Sequence, residues 1–369
     1  MGMRIDSTYL DAGPFGQEDI DIISAAMQKL LSIIIPTFNM EKYLPRALDS
    51  VCAANNLEQV EILVVNDGST DHSLAIAQDY RKRFPDSLRV IDKGNGNYGS
   101  CINAALKVAA GRYVKILDAD DYYDTSALDD LIETLRTATE DYLVTGFVMR
   151  HEDGSVSKTH TVPPAETGKT FSADDASFAN KPTLWWMHAL TVKRELFIEH
   201  HYRQTEGISY TDTEFALFTI FHAKTCKFTN LCLYNYTVGR AGQTVSPEKM
   251  ARDHQVFLAR TQKFADFYAS FPKGFCENRL WVLRRAIEDS SRSYLSSVFL
   301  VLPYDARTLS AFRAIAETLR TCPNGYDVYT NLYDLRAEFV VTGKLGGKLR
   351  LGTRLAWFLF RFCKKHRWI

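Results

Sequence analysis

The sequence predicts an α/β protein built on a mostly parallel β-sheet with helices on both faces. From residue 31 to about residue 149, apolar and β-branched segments alternate with segments of helical periodicity. The apolar segments are continuous, which is typical of strands that are covered on both faces. The first four segments end in polar or acidic clusters, and the carboxyl ends of parallel strands meet at one edge of a sheet. We therefore expect a ligand site at that edge.

Each predicted element has a start or stop signal in the sequence. Pro36 ends the first strand, Asn66-Asp67-Gly68 ends the second, and Ser69-Thr70-Asp71 supplies capping side chains for the helix that follows. Gly111 is the expected C-cap of the third helix. The predicted strands are Leu31–Ile35, Val60–Val65, Leu88–Ile91, Tyr113–Leu117 and Tyr142–Met149. The predicted helices cover residues 41–54, about 71–83, about 100–110 and 126–137, and helical periodicity returns from about residue 246.

The composition argues against several classes of protein. Lys and Arg total 44 and balance 44 Asp and Glu, so the net charge gives no reason to expect nucleic-acid binding. Seven scattered cysteines without a C-x-x-C pair predict reduced thiols in a cytosolic protein. Asp6, Asp11, Glu18 and Asp19 precede the first long apolar run, which is untypical of a signal peptide. We expect a cytoplasmic protein without a disulfide framework.

The C-terminal segment has a distinct charge pattern. No acidic residue follows Glu338, whereas eight basic residues do, and the apolar run at 355–360 is far shorter than a membrane span. At 100° per residue the apolar side chains share one helical face: Leu351, Leu355, Phe358, Leu359 and Phe362. This pattern predicts peripheral contact with the anionic inner face of the plasma membrane. Packing on the protein's own core is the alternative, since Gly346, Gly347 and Gly352 weaken the helix.

Carboxylates accumulate where the fourth strand ends, in V-K-I-L-D-A-D-D-Y-Y-D at 114–124. In an extended segment Asp118 and Asp120 point the same way and could share one Mg²⁺ or Mn²⁺ ion. The alternative is a solvated turn before an acidic helix start. The other strand ends carry P-T-F-N, N-D-G-S-T and N-G-N-Y-G-S, and four polar clusters at one edge favour a binding site.

Motifs of other nucleotide-binding proteins are missing from the sequence. No G-x-G-x-x-G follows the first strand and no G-x-x-x-x-G-K-[ST] occurs, which disfavours a dinucleotide dehydrogenase or a P-loop NTPase. Tyr122 stands where a D-x-D-x-T phosphatase would have threonine. The glycine-rich stretch 94–99 is either a plain connection or room for backbone to approach a phosphate.

Four segments, in order and spacing, resemble family-two inverting glycosyltransferases with the GT-A (Rossmann-like) fold. They are S-I-I-I-P-T-F-N at 32–39, E-I-L-V-V-N-D-G-S-T-D at 61–71, N-G-N-Y-G-S-C-I-N at 95–103 and V-K-I-L-D-A-D-D-Y at 114–122. The resemblance is strong over residues 31–125, continues weakly to about 246, and points to bacterial cell-surface polysaccharide enzymes such as those that build capsules. It implies metal-dependent transfer, with Mn²⁺ or Mg²⁺, from a nucleotide sugar (first of all a UDP-sugar) to a saccharide or lipid-linked saccharide.

The same resemblance implies a domain organisation. Residues 1–30 are an N-terminal extension and 31–245 a GT-A catalytic domain. Within that domain, residues 31–125 are the nucleotide-binding half and 126–245 the acceptor-side half. Residues 246–369 are a helical C-terminal region that ends in the basic amphipathic tail.

Site residues follow from the resemblance position by position. Asp120 would bind the metal, and Asp118 would lie at the metal, the ribose and the sugar. The nucleotide would also be bordered by Pro36, Thr37, Asn39, Asp67, Gly68 and Asn97. Asp67 also has a structural interpretation, because Asp67-Gly68 suits a tight turn.

Downstream motifs suggest the acceptor side and the base. Y-T-D-T-E-F at 210–215 nominates Asp212 as catalytic base, but Thr211 replaces the usual glutamate and leaves Glu214 as an alternative. V-G-R-A-G-Q-T-V-S at 238–246 nominates Arg240 and Gln243 for the diphosphate. L-W-W-M-H-A-L-T at 184–191 nominates His188 for the acceptor side, although a packed core histidine is the alternative, as it is for the two tryptophans.

The chemistry needs these residue types. A departing diphosphate gains charge that a divalent ion and an arginine stabilise, and one carboxylate suffices to deprotonate the acceptor in a single inverting displacement. A nucleotidylyltransferase would instead need a G-x-G-[ST]-R loop with a lysine after the first strand, where this chain has P-T-F-N. A non-catalytic sugar-nucleotide-binding subunit is the other alternative.

Overall fold

A computed structural model describes residues 29–175, 186–240, 249, 252–300 and 306–328. The chain forms two compact units. The first contains the described residues up to Asn95, together with 101–139 and 191–201. The second contains residues 96–100 and the described residues of 140–190 and from Tyr202 onward. The expected boundary between residues 245 and 246 lies outside the described residues.

The strands and helices follow the predicted alternation. The strands are β1 (Leu31–Thr37), β2 (Val60–Asp67), β3 (Leu88–Lys93), β4 (Tyr113–Ile116), β5 (Tyr122–Tyr123), β6 (Tyr142–His151), β7 (Val156–His160), β8 (Thr170–Ser172), β9 (Leu190–Lys193) and β10 (Thr225–Val238). The helices are α1 (Leu44–Cys52), α2 (Ser73–Arg83), α3 (Asn97–Leu106), α4 (Thr125–Thr137), α5 (Arg194–Glu199), α6 (Asp212–His222), α7 (His254–Ala269), α8 (Glu277–Leu300) and α9 (Ala306–Thr321).

The first unit is built on the parallel strands β3-β2-β1-β4, with β9 antiparallel to β4. Every residue of β2 is buried, and Ile33, Ile34 and Ile35 in β1 have no exposed surface. Burial on both faces explains why these strands are continuous apolar runs. Helices α1 and α4 each bury one apolar stripe, which for α4 consists of Leu128, Leu131, Ile132 and Leu135.

A buried carboxylate fixes the amino end of this sheet. Glu61 accepts hydrogen bonds from Ser32 Oγ at 2.7 Å, from the Ala110 N–H at 2.8 Å and from Arg89 at 3.1 Å. Ser32 Oγ in turn accepts a bond from the Gly111 N–H. The prediction that Gly111 caps α3 is wrong, because the helix ends at Leu106. Gly111 instead allows a close approach, since an added Cβ would lie 2.4 Å from Ser32 N.

Two helix starts differ from the prediction by three residues. Helix α1 begins at Leu44, not at residue 41, because Pro45 occupies its first turn, where a missing N–H costs no hydrogen bond. Helix α3 begins at Asn97, three residues before the predicted start.

The second unit combines strands with the C-terminal helices. Strand β10 pairs parallel with β6 and antiparallel with β8, while β7 pairs antiparallel with β6. Helices α7 and α8 are joined by hydrogen bonds around Ser290, whose Oγ donates to Phe257 O at 3.0 Å. Among the residues that the structure describes, no helix has the length and apolarity needed to cross a bilayer.

Candidate functional site

The loops after β1 and β2 are linked by side-chain hydrogen bonds. Asn39 lies in the left-handed region with φ 54°, and its Oδ1 accepts from the Thr70 N–H at 2.8 Å. The Asn39 N–H donates to Ser69 Oγ at 3.1 Å. Thr37 is buried and donates to Ile35 O. Asn39 therefore shapes the edge of the sheet where the nucleotide is expected, and Pro36 lies at the same strand end.

Asp67 ends β2 with its carboxylate almost wholly buried. It forms an ion pair with Lys93, the residue opposite it in the register of β2 with β3. Gly68 follows with φ 71°, and an added Cβ would lie 3.0 Å from Asn95 N. The left-handed backbone and this close approach together explain the glycine. Lys93 was not predicted as a site residue, because its position opposite Asp67 depends on the strand register.

The acidic segment after β4 is a turn. The strand ends at Ile116, and the Asp121 N–H donates to Asp118 O at 2.9 Å. The expectation of an extended segment with Asp118 and Asp120 on one face is therefore wrong. Carboxylate oxygens of Asp118 and Asp121 lie within 4.8 Å of each other, and Asp121 is fully buried. Asp121 had no predicted role. An extended strand aligns residues two apart, whereas this turn brings together residues three apart.

Other residues of the acidic segment form contacts that stabilise the fold. The backbone oxygen of Asp120 accepts a bond from Arg46 at 2.7 Å, and the Arg46 guanidinium lies over the Tyr122 ring. Asp124 is the N-cap of α4 and accepts from the Ala127 N–H at 2.9 Å. Burial, with Asp118 and Asp121 nearby, raises the pKa of Tyr123 well above its usual value.

The start of α3 packs closely on the chain before α6. Asn97 begins the helix with φ 64°, and Gly99 lies so close to the next segment that an added Cβ would be 2.0 Å from Thr205 O. The Gly207 N–H donates to Gly96 O at 2.9 Å. Protein packing thus accounts for Gly99, whereas nothing lies within 4 Å of a Cβ added at Gly94.

The start of α6 distinguishes the two candidate bases. Glu214 is buried, accepts bonds from the Thr205 N–H and Oγ1, and forms an ion pair with Lys263 at 2.8 Å. Asp212 is half-buried in the first turn of the helix. The Thr211 side chain, which replaces the usual glutamate, is buried against Gln204, whose Nε2 donates to its Oγ1 at 2.9 Å.

His188 lies in a cluster of aromatic rings. Its ring centroid is 4.6 Å from those of Tyr234 and Tyr236 and 5.6 Å from that of Phe147. Trp186 is half-buried and stacks on Phe147 at 5.6 Å. Strand β10 is followed by Gly239, with φ 81°, and then by Arg240, which is half-buried. Gln243 and Trp185 lie outside the described residues.

Comparison with known proteins identifies the domain that carries these strand ends. The family described as Glycosyl transferase family 2 matches residues 32–199. Residues 32–199 of this chain form a family 2 glycosyltransferase domain. The domain contains β1 to β4, the acidic turn and His188, so the predicted family is confirmed.

Individual relatives agree with this assignment. EpsJ of Bacillus subtilis, named an uncharacterized glycosyltransferase, is 29% identical over 260 residues, which cover 69% of this chain and 74% of that protein. The Staphylococcus aureus poly(ribitol-phosphate) β-N-acetylglucosaminyltransferase TarS is 36% identical over 100 residues, which are 27% of this chain and 18% of that protein. The crystal structure of TarS residues 1–349 with UDP-GlcNAc has a TM-score of 0.58 at 18% identity and covers 91% of this chain and 92% of that one. The expected GT-A fold with a helical C-terminal region is thereby confirmed.

Proposed function

We propose that the chain is a metal-dependent inverting glycosyltransferase that moves a sugar from a UDP-sugar to a saccharide or lipid-linked saccharide acceptor. One observation carries the proposal: within the family 2 domain, parallel strands bring Asn39, Asp67 and Asp118 to one edge of the sheet. The name of TarS and its complex with UDP-GlcNAc support a UDP-sugar as the first donor to test. Cell-surface polysaccharide synthesis, including capsule, is the proposed setting.

The nucleotide is proposed to lie against the ends of β1 and β2. Asp67 is held in place by Lys93, and its carboxylate can accept a hydrogen bond from the imide N–H of the base. Pro36, Thr37, Asn39, Gly68 and Asn97 are proposed to border the nucleoside. Arg240 and Gln243 are proposed to bind the diphosphate, because an arginine forms strong paired hydrogen bonds with phosphate oxygens.

The acidic turn suits a divalent cation by its donor chemistry. Mg²⁺ and Mn²⁺ prefer carboxylate oxygens, and oxygens within 4.8 Å of each other can bind one ion. We propose Asp118 and Asp120 as the ligands, with Asp121 as the alternative partner of Asp118. When bound, the cation supplies positive charge beside the departing diphosphate.

Asp212 is the proposed general base. Glu214 already accepts hydrogen bonds from Thr205 and forms an ion pair with Lys263, so its carboxylate has a structural role. Asp212 would take the proton of the acceptor hydroxyl as that oxygen attacks the anomeric carbon in one displacement. His188 and the rings around it are proposed to line the acceptor side, where aromatic faces stack on sugars.

The activity is tested by nucleoside diphosphate release from a panel of UDP-, GDP- and dTDP-sugars. We expect turnover with a UDP-sugar that stops in EDTA and returns with Mn²⁺ or Mg²⁺. Asp212→Asn should lower turnover by roughly 10²–10⁴-fold while UDP still binds. Binding of nucleotide sugar without any turnover would instead support a non-catalytic subunit.

The metal assignment is tested with three variants. Asp120→Ala should abolish metal-dependent turnover and leave the fold intact, since the residue is only half-buried. Loss of activity in Asp121→Asn but not in Asp120→Ala would move the ligand to Asp121, and Asp124→Ala is the matched control. Full activity in EDTA would contradict a metal requirement.

We propose that the protein is cytoplasmic and binds the inner membrane surface through its basic C-terminal segment. Each basic residue near an anionic surface contributes on the order of 1 kcal/mol, and salt screens that attraction. Full-length protein should float with anionic vesicles at low salt but not at high salt. Equal flotation of a variant lacking residues 343–369 would contradict this role.

A further inference from the structure

A buried arginine of α7 contacts the backbone just before Asp212. Arg260 is only 9% exposed, and its Nη1 donates to Tyr210 O at 2.9 Å. Its Nε donates to Ser290 Oγ on α8 at 3.1 Å. The guanidinium also lies over the Phe257 ring, with Cζ 5.3 Å from the ring centroid. Arg260 thus joins α7, α8 and the start of α6 through one rigid, planar group.

The residue that Arg260 contacts has an unusual backbone conformation. Tyr210 has φ 64°, in the left-handed region that side chains other than glycine rarely adopt. Such a conformation persists only where surrounding contacts hold it. The Tyr210 ring packs on Phe257 at 4.6 Å, and its carbonyl is bound by Arg260. Because α6 begins two residues later at Asp212, this conformation sets the direction in which the chain enters the helix.

The charge of Arg260 faces the carboxylates of the same region. Burial lowers the pKa of Arg260, while Asp212, Asp289 and Glu214 act in the opposite sense. A buried guanidinium is costly unless it is hydrogen-bonded, so its bonds to Ser290 Oγ and Tyr210 O favour one geometry. Asp212 therefore has a fixed cation nearby as well as a fixed backbone before it.

The other end of α6 is also held by an arginine. Arg279 on α8 donates to Phe221 O at 2.6 Å and to Ala223 O at 2.9 Å, at the carboxyl end of α6. Both arginines follow residue 199, where the family match ends. Arg260 contacts the chain at the end of α6 that carries Asp212, whereas Arg279 contacts the other end.

We infer that Arg260 is a positioning residue that orients Asp212 through the Tyr210 carbonyl, so that the C-terminal helices complete the acceptor-side site. The inference rests on the proposed role of Asp212 as base. It predicts that turnover depends on Arg260 although Arg260 touches neither donor nor acceptor. A lysine cannot reproduce the rigid fork that joins Ser290 Oγ and Tyr210 O, so Arg260→Lys should misplace the carboxylate.

The test compares Arg260→Lys with Arg279→Lys. Arg260→Lys should lower kcat by about 10- to 100-fold, with KM for the donor and Kd for UDP changed by less than about threefold. Arg279→Lys, a matched loss of a buried arginine at the other end of α6, should lower Tm but leave kcat within about twofold. If Arg260→Lys does not fold, Ser290→Ala removes one of its anchors and should lower kcat by about two- to fivefold.

The double variant Asp212→Asn/Arg260→Lys distinguishes a positioning role of Arg260 from a general loss of stability. If Arg260 acts through Asp212, the double variant is no slower than Asp212→Asn alone. Additive losses, equal losses in Arg279→Lys, or an unchanged kcat in Arg260→Lys would each overturn the inference. Full turnover of Asp212→Asn would instead refute the proposed base, which distinguishes failure of the proposed function from failure of this inference.

Discussion

At the scale of single residues, Lys115 is the most unusual buried group of the first unit. It lies on β4 opposite Ile33 of β1 and has no exposed surface. Burial lowers the pKa of its ammonium from 10.5 to about 7, because the charged form loses its hydration. Between these values the unfolded chain holds a proton that the native protein releases, so this lysine makes stability rise with pH across that window. Below about pH 7 the full cost of burying the charge is present.

Lys115→Met should therefore stabilise the protein by roughly 2–4 kcal/mol at pH 6, with the gain shrinking towards pH 10. Urea unfolding at both pH values measures this difference. Lys107→Met is the control, since Lys107 is exposed, and its effect should stay within about 0.5 kcal/mol at either pH. A gain for Lys115→Met that does not change with pH would contradict the account.

At Gly99, helix propensity alone predicts the wrong sign for the stability change on substitution by alanine. Within a helix, Gly→Ala ordinarily stabilises by up to about 1 kcal/mol. An added Cβ at Gly99 would lie 2.0 Å from the Thr205 carbonyl, so Gly99→Ala should destabilise by about 2 kcal/mol or more. Gly94→Ala, in the same glycine-rich stretch with open space around it, should be nearly neutral. Thermal unfolding compares the two, and a stabilised Gly99→Ala would show that the helix start can shift freely.

At the scale of elements, Asp124 of the acidic segment has a structural role at the start of α4. Asp124 accepts the Ala127 N–H as N-cap, so Asp124→Ala should cost about 1 kcal/mol of stability and leave turnover unchanged. Asp130→Ala, at an exposed position of the same helix, should change stability by less than about 0.5 kcal/mol. Urea unfolding and UDP release measure both quantities. Loss of turnover in Asp124→Ala would place it in the site and not in the cap.

Sequence patterns predicted most elements because apolar continuity and capping residues act locally. The runs at 31–35 and 60–65 became β1 and β2, but the prediction that Pro36 ends the first strand is wrong, since β1 continues to Thr37. The boundaries of α1 and α3 were less predictable. Pro45 decides the first, and the second depends on the left-handed backbone of Asn97 and the packing of Gly99 on Thr205.

At the largest scale, the mostly parallel sheet was predicted from the alternation of strands and helices, but the side-chain partners were not. The ion pair of Asp67 with Lys93 depends on the register of β2 with β3, and the contact of Arg260 with Tyr210 joins residues 50 positions apart. The C-terminal helices fell outside the motif resemblance. Nothing local in the sequence indicated that α7 and α8 hold both ends of the helix that begins at Asp212.

We propose that this chain transfers the sugar with inversion at the anomeric centre, with Asp212 as its single base. The most direct measurement is the anomeric configuration of the first-formed product, read by NMR during turnover of a UDP-α-sugar. One displacement at the anomeric carbon predicts a β-linked product. An α-linked product would require two displacements or a front-face reaction, and would contradict both the proposed mechanism and the role given to Asp212.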